Sequence, residues 1–415
     1  MMYNIILDNI VVNHNLVYYN FSCSKELDCY FKSKQLFIEY PEDVSSVPLS
    51  ILSIPFIATF LGISWLENTN IYVDELDCTY YHSLRAVKDA FQDMYYKASL
   101  KGRVVPCKFV DNKIVDKGQS LLLFGGGVDA HCSFLRHRHS VTHIMNIQGR
   151  FSSIDSQDLA ADADRDHCST FADKMGGIKF DYVRSNFACT VNSSIFNKKF
   201  QPLLGDQWWH GIQHSMAFIS ISIPIAYLHS ISHIVIGSSC TKGRIKPCAS
   251  FITTDSAFEF AGSGNVLHDA FDLTRQEKIK VIVDYQKQSG QPYPLKVCSF
   301  NDRNCCECEK CFRTIVEIVA EGGDVRDYGF PIDKPLVAFF EDVMNRRLGL
   351  WGMAFERDIY WKDTMRRMKE NYSNISEKEF VDWFLSYDFD EEQKKSLRNY
   401  YKRNFFSILR RKLRI

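Results

Sequence analysis

The stretch Ser120–Ser133, Ser-Leu-Leu-Leu-Phe-Gly-Gly-Gly-Val-Asp-Ala-His-Cys-Ser, decides how the chain is read. Leu121 to Phe124 form a short apolar run that ends in three glycines, the pattern of a buried strand feeding a tight turn. Gly125, Gly126 and Gly127 can take positive φ and let another group approach the backbone closely. Val128, Asp129 and Ala130 then open a segment that can start a helix. Successive backbone N–H groups in such a turn, together with the positive end of the helix, make an anion site. The stretch therefore reads as a phosphate-binding loop, with an ordinary glycine-rich turn as the alternative. No Gly-Lys-Ser/Thr follows, so it is not a Walker A loop, and it is not a clean G-x-G-x-x-G.

Outward from this stretch the chain alternates. Val141–Ile147 reads as a second strand and residues 157–175 as a polar helix. Ile178–Val183 reads as a third strand, Trp208–His229 as a long helix and His233–Gly237 as a fourth strand. Such alternation implies an α/β fold with parallel strands and helices on both faces. Ligands of these sheets sit beyond the carboxyl ends of the strands at a switch point. The glycine loop after the first strand fits that place.

The second signal is Cys298-x6-Cys305-Cys306-x-Cys308-x2-Cys311. Four thiolates from Cys298, Cys305, Cys308 and Cys311 are enough for a closed tetrahedral Zn2+ site. Cys306 is an extra thiol that competes with Cys305 for the second ligand position. An iron–sulfur cluster could use the same four sulfurs. A helix over 310–320 would hold the last ligand rigidly.

Lys and Arg number 50 and Asp and Glu number 50, so nothing global points to nucleic acid or an anionic membrane. Aromatic residues make up 14%, which argues against disorder. No basic-then-apolar leader is visible, so a cytoplasmic protein is expected, whose 14 cysteines are thiols rather than disulfides.

At this point a resemblance emerges. Phe124-Gly-Gly-Gly-Val-Asp-Ala130 resembles the S-G-G-x-D-S loop of the PP-loop ATP pyrophosphatases. Gly125 and Ala130 stand where that family has its two serines. The downstream four-Cys cluster sharpens the likeness to 7-cyano-7-deazaguanine synthases, whose cluster is C-x7-C-x2-C-x2-C. Ile234–Gly237 resembles their V-I-G strand end. Asp272-Leu-Thr-Arg-Gln-Glu-Lys278 resembles their D-L-T-K-A-E helix start, with Thr274 and Glu277 spaced as a capping box. Cys311-Phe-Arg-Thr resembles their C-x-x-R ending, with the arginine one residue nearer the cysteine. The resemblance covers residues 120–322.

What it implies is a parallel, doubly wound PP-loop sheet with a zinc knuckle in residues 119–325. An N-terminal α+β domain (1–118) and a helical C-terminal region (326–415) would flank it. It further implies ATP over Phe124, Gly125, Gly126, Gly127, Val128, Asp129, Ala130 and Gly237. Mg2+ would lie near Asp129, with catalytic roles for Asp129, Arg275 and Lys278, and Zn2+ would be structural. The activity would be adenylation of a carboxylate or similar oxygen, releasing pyrophosphate and then AMP as a nitrogen nucleophile attacks. The substrate is an unidentified small molecule or protein, with a homo-oligomer or complex partner in view and no stable nucleic acid. The alternative is a non-catalytic ATP-binding subunit with a degenerate loop; some synthase-like proteins belong to anti-phage systems. A zinc-knuckle nucleic-acid binder is disfavoured by the neutral charge.

The remainder carries less chemistry. Tyr3–Val12, Leu16–Phe21 and Gln35–Tyr40 read as strands, Pro55–Trp65 as an apolar segment and Tyr81–Lys97 as a helix. Cys23, Cys29, Cys78 and Cys107 lack ligand spacing and read as buried thiols. His137, His139 and His143 read as solvated or packed, and Asp162 with Arg165 as an exposed helix pair. Residues 207–241 contain no Asp, Glu, Lys or Arg. Pro224, the serines and the histidines in that stretch favour a buried helix over a membrane span. Phe339, Phe340, Val343 and Leu348 give one apolar helix face and Phe380, Trp383 and Phe384 another. The basic end from Arg403 reads as a docked amphipathic helix, with anionic membrane or nucleic acid as the alternative contact.

Overall fold

A computed structural model describes residues 3–241, 243, 246–298, 301–346 and 357–388, with 391, 394, 398, 401, 402, 404 and 405 beyond them. Leu348 and most of the basic end after Arg403 lie outside the described residues. The chain forms two compact units, residues 1–272 and 273–415.

The first unit is built on one eleven-stranded sheet. Its strands are β1 (Tyr3–Asn13), β2 (Leu16–Cys23), β3 (Gln35–Glu39), β4 (Thr69–Asp77), β5 (Arg103–Val110), β6 (Ser120–Leu123), β7 (Val141–Gln148), β8 (Lys179–Ser185), β9 (His233–Gly237), β10 (Glu259–Phe260) and β11 (Gly264–Asp269). They lie in the order β10-β11-β9-β6-β7-β8-β3-β2-β1-β4-β5. Within it, β11, β9, β6, β7 and β8 are all parallel. Counted from β6, that parallel part runs 3-2-1-4-5, and its order reverses between β6 and β9.

Helices cover both faces of this part. α1 (Leu49–Leu66) and the helix His214–Leu228 share a core with Leu121, Met145, Val183, Ile234 and Ile236. Side chains alternate along each strand, so the residues between these face the other way. There α3 (Val128–His137) packs on β6 and β9, and α4 (Leu159–Met175) packs on β7 and β8.

Residues 1–118 do not form a sheet of their own. β3 joins β8 through Ile38↔Ser185 and Glu39↔Arg184, and Arg184 Nη1 donates to Glu39 Oε2 at 2.8 Å. The physical reason is α1. It is apolar on every side, and such a helix needs cover all round. The helix His214–Leu228 supplies part of that cover, so the N-terminal segment and the parallel sheet bury one core. By length and composition Leu49–Leu66 and Trp209–Leu228 could each cross a membrane, but both are mostly buried inside the protein. α2 (Cys78–Met94) starts with Asp77 accepting from Tyr80 N. One expectation fails here: Cys29 and Cys107 are exposed and Cys23 and Cys78 only half-buried. Cys107 lies on the edge strand β5, where one side faces solvent.

The second unit is helical among the described residues: Arg275–Ser289, Glu309–Ala320, Leu336–Arg346, Arg357–Glu370 and Lys378–Ser386, with short turns between. Phe312, Phe340, Phe380 and Phe384 are buried, with Phe312 and Phe340 ring centroids 4.0 Å apart. Glu321 is almost fully buried and accepts from Arg367 and Gln276 at 2.9 and 2.8 Å.

Candidate functional site

The glycine loop leaves β6 at the point where the sheet order reverses. Leu122 pairs with Val235, so β6 and β9 run level and both end at the same edge of the sheet. Phe124 N still donates to Met145 O at 2.8 Å, after which the chain turns. Gly126 takes φ +73°, which a residue with a β-carbon rarely adopts. Gly127 is extended and precedes α3, and its carbonyl accepts from His131 N at 3.0 Å. A β-carbon added at Gly125 or Gly127 meets nothing within 4 Å, so both positions border open space. The N–H groups of the first turn of α3 have no acceptor within that helix. Val128 is buried, and Asp129 and Ala130 are half-buried on that turn. Gly237 ends β9 against the same turn: a β-carbon there would lie 2.7 Å from Asp129 O and 3.1 Å from Ser133 Oγ. Phe124, the three glycines, Val128, Asp129, Ala130 and Gly237 thus come together in space.

The loop rests on a fixed base. Asn146 Nδ2, near the end of β7, donates to Phe124 O at 3.0 Å, and Gln148 Nε2 donates to Asn146 Oδ1 at 3.0 Å. Beneath it Phe124 stacks on Phe171 at 4.9 Å, and His131 meets both rings edge-on at 4.8 and 4.7 Å. Burial, and then the neighbouring His167, push the His131 pKa well below its ordinary value, so this imidazole is neutral packing. α3 is tied to the end of β11 as well. Asp269 lies 3.0 Å from both Arg136 Nε and His137 Nε2. Burial alone would raise its carboxyl; His137, Ser133 and Arg136 outweigh that and hold it at about 2. Asn146, Gln148 and Asp269 carry no motif that the sequence alone would flag.

Arg275 and Lys278 belong to the second unit, on the helix Arg275–Ser289. Thr274 caps this helix with the reciprocal Glu277 box. Arg275 donates to Glu317 Oε2 at 3.1 Å and to Thr314 Oγ1 at 3.2 Å, and Lys278 is 1% exposed. Arg275 is thus paired with Glu317 and Thr314, and Lys278 is buried.

Also in the second unit, the sulfurs of Cys298, Cys305, Cys308 and Cys311 all lie within 4.8 Å of one another. Cys308 is 3.5 Å from Cys311 and 4.0 Å from Cys298, and Cys305 is 3.9 Å from Cys311. A tetrahedron of Zn–S bonds of ~2.3 Å has sulfur–sulfur edges of about 3.8 Å. The four thiols could therefore hold a zinc ion with little movement. The Cys311 thiol beside it pulls Cys308 down to about 5, and Cys308 in turn pushes Cys311 up. Cys306 is turned away. It takes φ +59°, its thiol bonds Asn304 O at 3.7 Å, and burial raises it to about 12. That turn leaves Cys305 Sγ to accept from Glu307 N and Cys308 N at 3.4 and 3.2 Å.

Asn304 holds the whole knuckle in place. It accepts from Val297 N and Cys298 N at 3.0 and 3.3 Å and donates to Leu295 O and Gly329 O at 2.8 and 3.0 Å.

No family model and no curated protein matches the chain. Among solved structures, one similarity is to A-type ketoreductases from a modular polyketide synthase, at 10% identity over 79% of each chain with a TM-score of 0.16. A score that low carries no argument about fold or function.

Proposed function

We propose that the protein is an ATP-dependent, AMP- and pyrophosphate-forming enzyme of C–N ligase type. The observation that supports this most is the position of Gly125–Gly127. A bare glycine turn leaves the first parallel strand at the switch point of a 3-2-1-4-5 sheet and enters a helix N-terminus. Anionic ligands of open α/β sheets bind at such a place. In this reading the loop N–H groups grip the β and γ phosphates, leaving the α-phosphate open to a substrate carboxylate or similar oxygen. The attack forms an acyl-adenylate and releases pyrophosphate, and an amine or ammonia then displaces AMP. The preorganised N–H groups stabilise the charge that builds on the departing pyrophosphate. Asp129, on the first turn of α3, is the carboxylate suited to hold Mg2+, which would neutralise phosphate charge. Zn2+ on the four cysteines would be structural.

A second reading is a nucleotide-binding subunit without turnover. Gly125 and Ala130 favour it, because neither offers a hydroxyl to phosphate. Incubation with ATP and a panel of carboxylic acids, with and without ammonia, separates the two. AMP and pyrophosphate in equal amounts support the enzyme. ATP binding without any AMP supports the subunit, and ADP as sole product rejects both.

A further inference from the structure

Away from the glycine loop, a thiol and an amine meet where β2 gives way to β3. Cys23 ends β2, the short helical turn Lys25–Tyr30 follows, and Lys34 leads into β3. Lys34 Nζ lies 2.6 Å from Cys23 Sγ. Asp28, on the turn, stands 2.9 Å from Lys34 Nζ, and the Cys23 thiol donates to its Oδ1 at 3.4 Å. Lys34 Nζ also lies over the Phe31 ring, 4.3 Å from its centroid, and 5.6 Å from that of Phe21. The amine is thus held against the sulfur by a carboxylate and two rings. The neighbouring Cys29 thiol turns instead to Glu26 O, at 3.9 Å.

The contact is closer than a hydrogen bond to sulfur. An N–H···O bond spans about 2.9–3.0 Å, and sulfur is larger than oxygen, so an N–H···S bond is longer still. At 2.6 Å the two atoms stand where two single bonds through one oxygen atom would hold them. The surroundings suit oxidation too. Reactive thiols sit beside cations at partly exposed positions. Cys23 is half-buried and the Lys34 side chain is 40% exposed, so a small oxidant reaches both. Burial raises the Cys23 pKa more than Lys34 lowers it, so the resting group is a thiol, with Asp28 placed to take its proton.

We propose that Cys23 and Lys34 form a reversible redox cross-link, sulfur joined to nitrogen through a single oxygen, when the protein meets hydrogen peroxide. One peroxide oxidises the thiol to a sulfenic acid and leaves as water. A second takes two electrons from nitrogen as the sulfenic oxygen bonds to it. Overall the thiol, the ammonium and two peroxides give the S–O–N bridge, three waters and one proton released to solvent. The S–H, two N–H and both peroxide O–O bonds break, and S–O and O–N bonds form. Without the amine, a sulfenic acid goes on to sulfinic acid, which is irreversible. Lys34 stops the oxidation at a stage that a thiol can undo. The bridge closes residues 23–34 into a loop and so fastens the turn. Tyr30 O accepts from Asn192 N at 2.7 Å and Lys32 N donates to Thr190 O at 2.8 Å, so the fastened loop also holds the connection that follows β8.

The test treats the full chain with hydrogen peroxide and maps its peptides by mass spectrometry without reductant. The Cys23 and Lys34 peptides should emerge joined, one oxygen heavier and two hydrogens lighter than their sum. Dithiothreitol should release them and restore the thiol. Lys34→Arg keeps a cation beside Asp28 but removes the amine; it should lose the link and carry Cys23 on to sulfinic acid. Cys29→Ser should keep the link. The unfolding midpoint should rise on oxidation in the natural chain and not in Lys34→Arg. A Cys23 that reaches sulfinic acid as fast in the natural chain as in Lys34→Arg overturns the proposal. So does a Cys23–Cys29 disulfide in place of the link, or a link without the oxygen. The map of the natural chain decides the matter even where Lys34→Arg does not fold, and it is independent of any ATP chemistry at the loop.

Discussion

Gly237 is pressed against the backbone of Asp129: a β-carbon at position 237 would stand 2.7 Å from the Asp129 carbonyl oxygen. That contact joins the end of β9 to the first turn of α3. Gly237→Val should push α3 off the sheet edge and cost about 1–3 kcal/mol, as overpacked sites do. Nucleotide affinity should fall with it, because the displaced turn carries the loop. Urea unfolding and ATP calorimetry on the same variant check both. Unchanged stability would mean that α3 is not seated where the structure has it.

The thiol cluster predicts a contrast between neighbours. Cys305→Ser should abolish binding of one zinc per chain and lower stability, since binding free energy in such a site is folding free energy. Cys306→Ser should keep the zinc, because its thiol faces Asn304 O instead of the other sulfurs. Elemental analysis of the two proteins distinguishes them. The reverse pattern would reassign the ligand.

Asn304→Ala should loosen the same knuckle without touching a ligand. It leaves the buried Leu295 carbonyl and the Val297 and Cys298 N–H groups without this partner. Unsatisfied buried groups of this kind cost about 1–3 kcal/mol each, so the unfolding midpoint should drop markedly. Zinc should also leave faster to a chelator, followed by a colorimetric metal indicator.

Much of this was legible in the sequence, for local reasons. The run Leu121–Phe124 followed by three glycines marks a strand, a turn and a helix start within one stretch. The same is true of the capping box at Thr274 and of the C-x-x-C spacing. What escaped depends on distant pairings. Nothing in Ile38 or Ser185 announces that β3 and β8 are neighbours. β11 is short, exposes Leu267 in its middle and runs almost directly into the Asp272-Leu-Thr helix start, so its strand pattern is masked. The uniform apolarity of α1 was visible and pointed to burial, but not to which core. The choice between Cys305 and Cys306 turned on one backbone angle that composition does not encode.

Asp269 gives a pH prediction. Its carboxyl is held at about 2 against an ordinary value of 3.8, so the folded state prefers the charged form. The stabilisation is present above the ordinary value and is lost as pH falls from 3.8 toward about 2. Asp269→Asn should therefore be less stable than the natural chain near neutrality. The gap should close across that acid window. A gap constant with pH would show that Arg136 and His137 do not act on Asp269 as a charge.

The last prediction concerns the missing hydroxyls. A side chain at Gly125 has open space around it, and Ala130 lies half-buried on the first turn of α3. Gly125→Ser with Ala130→Ser should thus fold normally and place two more donors around the loop. If the loop holds the β and γ phosphates of ATP, those donors strengthen as charge builds on pyrophosphate, so the gain should appear in turnover more than in affinity. Asp129→Ala should act oppositely, lowering turnover while ATP still binds. Steady-state AMP formation and ATP calorimetry separate the two effects. A double variant that binds ATP more tightly yet forms no AMP would favour the nucleotide-binding subunit. One that changes neither quantity would move the phosphate site away from Gly125–Ala130.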